Sequence, residues 1–210
     1  MGASRIDLQV PFAEKDIARR LGARWDRDLR VWYVPAGVDE EPLRKWVPVL
    51  QRPNIRAGHY VLVQSVRECW RCSLQTRVFA IMLPTGHEVL WVGDDPGDEE
   101  WQIVQEPTTL SYIDYLPAAI AERLRSLAPD YRLEFSEATQ SVYWMNHCEQ
   151  CGAKQGDYDT IEDYGSPFNP AASQDAAGIV LREIREPFAA SCAGHTSGVE
   201  WFDHMRRDPP

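Results

Sequence analysis

The sequence has no apolar run approaching the ~20 residues that cross a bilayer, and its first ten residues, Met1 to Val10, hold no apolar core of a secretory signal. A cytoplasmic protein without membrane contact is therefore expected. Positive charge is scarce: 22 Lys and Arg stand against 32 Asp and Glu, a net of −10. That balance excludes a polyanion-binding surface spread over the whole molecule. Only five cysteines occur in 210 residues; without an export signal they point to metal binding or free thiols rather than a disulfide framework. Catalytic signatures are missing as well. There is no glycine-rich phosphate loop, no GxSxG, no HExxH and no HxE…PCxxC. Internal repeats and low-complexity tracts are absent, while an apolar content of 44% is that of a folded chain.

The charge is unevenly divided. Residues 1–60 carry a net of +3 and residues 61–210 a net of −13. Such asymmetry predicts two units with different tasks, over 1–52 and 57–210, with Arg52-Pro53-Asn54 as a loop between them.

In the first unit Ile6, Leu8 and Val10 alternate with Asp7 and Gln9, the pattern of a half-buried strand. Ala13, Ile17 and Leu21 recur every four residues and predict a helix with one apolar stripe, closed by Gly22. A hairpin is expected over Ala23–Asp26 and Leu29–Val34, then a short helix carrying Leu43, Trp46 and Val47 inward. The order is β-α-β-β-α. Trp32 and Tyr33 are strand neighbours and face opposite sides. Beside Trp25 and the cations Arg24, Arg27 and Arg30, an exposed ring would suit single-stranded nucleic acid, because bases stack on rings and guanidinium groups meet phosphates. The plainer alternative is that the rings fill a small core and the arginines only solvate it.

The run Val10-Pro11-Phe12-Ala13-Glu14-Lys15-Asp16, with Leu21-Gly22-Ala23-Arg24-Trp25-Asp26 and Trp32-Tyr33-Val34-Pro35, resembles a small bacterial domain of unknown function. That domain also occurs attached to plasmid primases and other mobile-element proteins, and the resemblance covers about residues 5–48. It implies a nucleic-acid context and no activity. The strand order is also similar to that of the HARP domain of annealing helicases, in topology only.

Cys69-Trp70-Arg71-Cys72 and Cys148-Glu149-Gln150-Cys151 are two CxxC pairs, each entered from a strand run. Two such knuckles can place four thiolates around one ion, at Zn–S distances of about 2.3 Å. The reading is one structural zinc; a redox CxxC and a catalytic zinc are the competing readings. The long gap between the pairs predicts an insertion at about 84–140, with a strand at His87–Val92, a helix at Ala118–Leu127 and a strand at Tyr131–Phe135. The segment Asn146 to Asp157 resembles an NHCxxCGAxQGD stretch of uncharacterised bacterial proteins, which pair it with a CWxC knuckle; that resemblance implies zinc binding and no reaction.

Four further features are read as structural. Cys192 is a small buried hydrophobe and His195 part of a Gly194–Gly198 turn, and His147 points away from the metal into the surroundings of the site or the surface. The acidic stretches Gly93–Glu100 and Asp157–Gly165 are solvated loops; the spacing of Asp157, Asp159, Glu162 and Asp163 lacks the glycine and terminal Glu of a calcium-binding loop.

The expected fold class is α+β: a small β-α-β-β-α module, then an antiparallel β zinc-ribbon domain with an inserted helix-containing subdomain. The expected function is a zinc-binding, non-enzymatic accessory to a nucleic-acid machine. Single-stranded nucleic acid would be met by the first unit. One alternative is an acidic adaptor or inhibitor that engages a basic protein through the second unit. Another is an enzyme with its site in the insertion.

Overall fold

The computed structural model describes residues 5–8, 10, 14–27, 31–39, 41–47, 52–93, 95, 97–198 and 202–208. Among them no helix is long and apolar enough to cross a membrane. The chain is mixed α and β, mostly strand, and divides into two units, residues 1–52 and 53–210.

The first unit holds β1 (Ile6–Leu8), α1 (Lys15–Arg20), β2 (Arg24–Asp26), β3 (Val31–Val34) and a 3-10 helix (Glu41–Trp46). The strands form an antiparallel sheet in the order β1-β3-β2. Its core is Leu8, Ala18, Ala23, Trp32, Val34, Leu43 and Trp46. The end of α1 is fixed by Gly22 at φ +101°, with Gly22 N–H donating to Arg19 O and Ala23 N–H to Ala18 O, at 3.1 and 3.0 Å. This is the paired closure that a left-handed residue permits. It also corrects the expected stripe. Ile17 and Leu21 are 40% and 37% exposed, and Ala18 is the residue that α1 buries. Six residues make less than two turns, so the sheet meets one face only, and the small Ala18 allows the close approach. Ala13, Leu29, Arg30 and Glu40 lie outside the described residues.

The second unit contains β4 (Ile55–Ala57), β5 (Tyr60–Glu68), β6 (Gln75–Leu83), β7 (His87–Val92), β8 (Glu99–Val104), β9 (Thr108–Tyr115), α2 (Ala118–Leu127), β10 (Tyr131–Ser136), β11 (Ser141–His147), β12 (Lys154–Gln155), a π-helical turn (Tyr158–Glu162), α3 (Ser173–Ala176), β13 (Val180–Ile184), β14 (Phe188–Ser197) and β15 (Arg206–Arg207). Nine strands form one sheet in the order β15-β13-β5-β6-β9-β14-β4-β7-β8, and β10-β11-β12 form a second. Within residues 84–140, β7, β8 and β9 are hydrogen-bonded into the large sheet, and β10 belongs to the second.

The hairpin of β5 and β6 is apolar on both faces. Leu62, Phe79, Ile81 and Leu83 join a core with Ile120 and Leu124 of α2 and with Tyr131 and Trp144. Val61, Val63, Val78, Ala80 and Met82 face a second core with Ile161, Phe168, Ile179 and Leu181. A strand buried on both sides reads as a continuous apolar run, as these do.

Three expectations of loop are corrected. Glu99 and Glu100 begin β8 instead of ending a loop. His195 lies within β14, paired with Leu110, because the Gly194-His195-Thr196 run continues the ladder to β9. Asp157 is fully buried: its carboxylate accepts the Tyr112 N–H at 2.7 Å, where Tyr112 adopts φ +51° and cannot use its N–H in a regular ladder. Burial, with the nearby Glu162 charge, pushes the Asp157 carboxyl up to about 7 against the pull of that N–H.

Candidate metal centre and the faces beside it

The two CxxC pairs sit in two turns of one design. The first joins β5 to β6, and the second joins β11 to β12. In each, the first cysteine donates its N–H to the carbonyl five residues on, Cys69 to Leu74 at 2.9 Å and Cys148 to Ala153 at 2.8 Å. In each, the residue four places on donates back to that cysteine's carbonyl, Ser73 at 2.9 Å and Gly152 at 2.8 Å. Those two residues are left-handed, at φ +57° and +69°. In each, the N–H two places on points at the first sulfur, Arg71 to Cys69 Sγ and Gln150 to Cys148 Sγ, both at 3.4 Å. The paired turns therefore present sulfur outward and amide hydrogens behind it.

The four Sγ atoms lie within 4.8 Å of one another. Cys69 Sγ is 3.7 Å from Cys151 Sγ, and Cys72 Sγ is 3.7 Å from Cys148 Sγ. Two sulfurs about 2.3 Å from one ion at the tetrahedral angle stand about 3.8 Å apart, so the spacing fits a tetrathiolate site. Ionisation points the same way. Burial pushes the Cys69 thiol up, but the N–H groups of Cys72 and Arg71 and the neighbouring thiols bring it down to about 6. At Cys72 the Leu74 N–H pulls down, yet burial and the surrounding thiols push it up to about 12. Four thiols this close do not ionise together without a cation to share. Among the described residues this is the one group of three or more Cys, His, Asp and Glu side chains close enough to hold an ion. Cys192 and His195 are not in it; Cys192 is buried, its N–H and carbonyl bound by the Asn54 side chain.

Side chains around the cluster hold the knuckles together. Asn146, 1% exposed, accepts the Phe79 N–H at 2.7 Å and donates to the Phe79 carbonyl at 2.8 Å. It thus completes for β6 a ladder position that no strand supplies. Thr76 Oγ1 accepts the Glu149 N–H at 3.0 Å, and the Glu149 carboxylate accepts the Arg77 N–H at 3.2 Å and Nε–H at 2.7 Å. Gln155, fully buried, donates from Nε2 to Cys69 Sγ at 3.4 Å. Trp70 Nε1 donates to the Lys154 carbonyl at 2.7 Å, spanning the two knuckles. Asn146, Glu149 and Gln155 are not among the residues expected from the sequence, although each lies in the Asn146–Asp157 segment of the second knuckle. For Asn146 the signal is a polar residue inside the otherwise apolar run of β11; Glu149, in the knuckle turn, and Gln155, in the two-residue β12, carry no such signal. His147 faces the surroundings of the site and not the surface. It is 1% exposed, its Nδ1 lies 3.1 and 3.2 Å from the Met145 and Asp130 carbonyls, and burial with the Arg132 charge holds its pKa below the ordinary histidine value.

In the first unit the structure separates the proposed nucleic-acid residues. Trp25 is 46% exposed, while Trp32, its partner across β2 and β3, is 7% exposed; the two rings stand 5.7 Å apart at 59°. Trp32 belongs to the core and cannot serve as a stacking platform. Tyr33 is half-buried, with the Arg5 guanidinium 4.3 Å above its ring. Arg24 and Arg27 are exposed, and Arg30 lies outside the described residues.

Residues 5–48 match the family described as Domain of unknown function (DUF5710). Two proteins of Escherichia coli named DNA primase TraC are similar to the same end of the chain. One is 64% identical over 42 residues, 20% of this chain and 4% of that protein. The other is 56% identical over 39 residues, 19% of this chain and 3% of that protein. No solved structure matches. The chain thus spans only a few hundredths of the length of these relatives.

Proposed function

We propose that this chain is a zinc-stabilised, non-enzymatic accessory that meets single-stranded nucleic acid through its first unit. The observation that carries the reading is the exposed indole of Trp25 flanked by Arg24 and Arg27, in the unit that resembles part of a DNA primase. An open ring face with adjacent guanidinium groups is what base stacking and phosphate contact require. The zinc, held by Cys69, Cys72, Cys148 and Cys151, would be structural: four thiolates leave no open position for water. It would close the long stretch between the knuckles and hold the small sheet against the large one.

The test is a fluorescence titration with single-stranded oligonucleotide at low salt. Binding should weaken steeply as salt rises, and Trp25→Ala or the Arg24/Arg27/Arg30 triple alanine variant should lose most of the signal. Equal binding by wild type and the triple variant would sink the assignment. No binding at any salt favours the adaptor reading, in which the acidic second unit engages a basic protein. Metal analysis should find one zinc per chain.

A further inference from the structure

Two sheet edges among the described residues are as long as six residues, β8 and β10. An open edge offers unpaired backbone groups to a further strand. On β10 the apolar face continues past the end of its cover. Tyr131 and Trp144 are packed under α2, but Leu133 and Phe135 are 47% and 40% exposed, and Val142, directly across from Phe135 on β11, is 46% exposed. The opposite face of the same strand carries Arg132 and Glu134. Their present partners are loose: Arg132 Nη1 stands 3.7 Å from Asp130, and Glu134 Oε2 stands 4.0 Å from His147.

A cation and an anion two residues apart are self-complementary in one arrangement only. If a second copy of β10 is laid antiparallel with Leu133 on the two-fold axis, each Arg132 comes opposite the other copy's Glu134. Leu133 then meets Leu133 on the apolar face, while Tyr131 stays under α2 with its N–H donated to the Ala128 carbonyl at 2.9 Å. β8 has no such property, since it holds Glu99 and Glu100 and no basic residue. Lys154 Nζ donates to the Phe135 carbonyl at 2.7 Å, which uses one of that oxygen's two lone pairs and leaves the other. We infer that β10 is a self-association edge, through which two copies of this chain join their three-stranded sheets into one of six strands. The symmetry is that of an isologous dimer, in which one patch serves both partners. A contact of six residues a side is small for a permanent dimer, so the association is reversible and falls in the micromolar range.

The experiment is sedimentation equilibrium of the zinc-loaded full chain from micromolar to millimolar concentration. Wild type should follow a monomer–dimer equilibrium that weakens with salt. Arg132→Glu and Glu134→Arg, taken singly, should raise the dissociation constant by about tenfold or more, because each puts like charges opposite one another. The two reversals together should restore the wild-type constant, which a merely structural role for either side chain would not do. Leu133→Lys, outside the charge pair, should also give monomer. A wild type that stays monomeric overturns the inference. So does a dimer indifferent to the single reversals, a double reversal that fails to restore it, or a dimer lost only on Ile103→Lys in β8.

Discussion

Replacing Asn146 with alanine should loosen the metal centre without touching a ligand. Its side-chain amide is buried and makes two hydrogen bonds, one with each backbone group of Phe79, at 2.7 and 2.8 Å. Truncation leaves a buried N–H and a buried C=O without partners, and each such group costs about 1–3 kcal/mol. The expected loss is therefore about 3–4 kcal/mol, or ~6–16 °C in melting temperature for a chain of this size. Asn146→Asp keeps the shape but sets a carboxylate oxygen against the Phe79 carbonyl, so it should be at least as damaging as alanine. Because Asn146 ties β6, which leaves the first knuckle, to β11, which enters the second, the loss should also appear as zinc affinity lower by about 10–100-fold. Urea denaturation of the zinc-loaded protein and competition with a chromophoric chelator measure the two effects. A variant within 1 kcal/mol of wild type, with unchanged zinc affinity, would show that the knuckles are held together without this bridge.

Three further outcomes follow from the same structure. The Asp157 carboxyl is raised from 3.8 to about 7 in the folded chain. The native state thus holds its proton to higher pH than the unfolded chain, and stability falls as pH rises from about 4 to 7, by about 4 kcal/mol when complete. Asp157→Asn, which can still accept the Tyr112 N–H, should be more stable than wild type at pH 8 and lose that advantage as pH drops toward 4; denaturation of both proteins across that range decides it, and a pH-independent difference refutes it. Cys148→Ser should abolish zinc binding and unfold or aggregate the second unit while hydrogen exchange of the first unit stays unchanged; full zinc content with an unaltered melt would contradict the site. Gly22→Ala forces a side chain into φ +101° with its Cβ 2.8 Å from Val38 Cγ1, which should cost about 1–2 kcal/mol and speed hydrogen exchange across α1 but not in the second unit.

What the sequence by itself determined is local. The CxxC spacing, with Gly152 after the second pair, is a short-range device, so the four cysteines that the fold gathers could be named from four letters in each of two places. The closure of α1 by Gly22 and the strands at His87–Val92 and Tyr131–Phe135 are of the same kind, since turn chemistry and periodicity act over a few residues. Elsewhere, partners distant in the chain decided. Ala18, not Ile17, faces the core because only a small residue lets α1 approach the sheet. Trp32 and Trp25 are both tryptophans on one hairpin, and nothing local says that the first is covered and the second open. Asp157 sits in an acidic, polar stretch and reads as solvent-facing, yet a strained Tyr112 forty-five positions earlier recruits its carboxylate into the interior. Asn146 and Gln155 gain their roles in the same way, from Phe79 and Cys69 brought alongside by the sheets. Burial and the pairing of buried polar groups depend on which elements meet, and that is set by the free energy of the whole packed arrangement rather than by any window of the sequence.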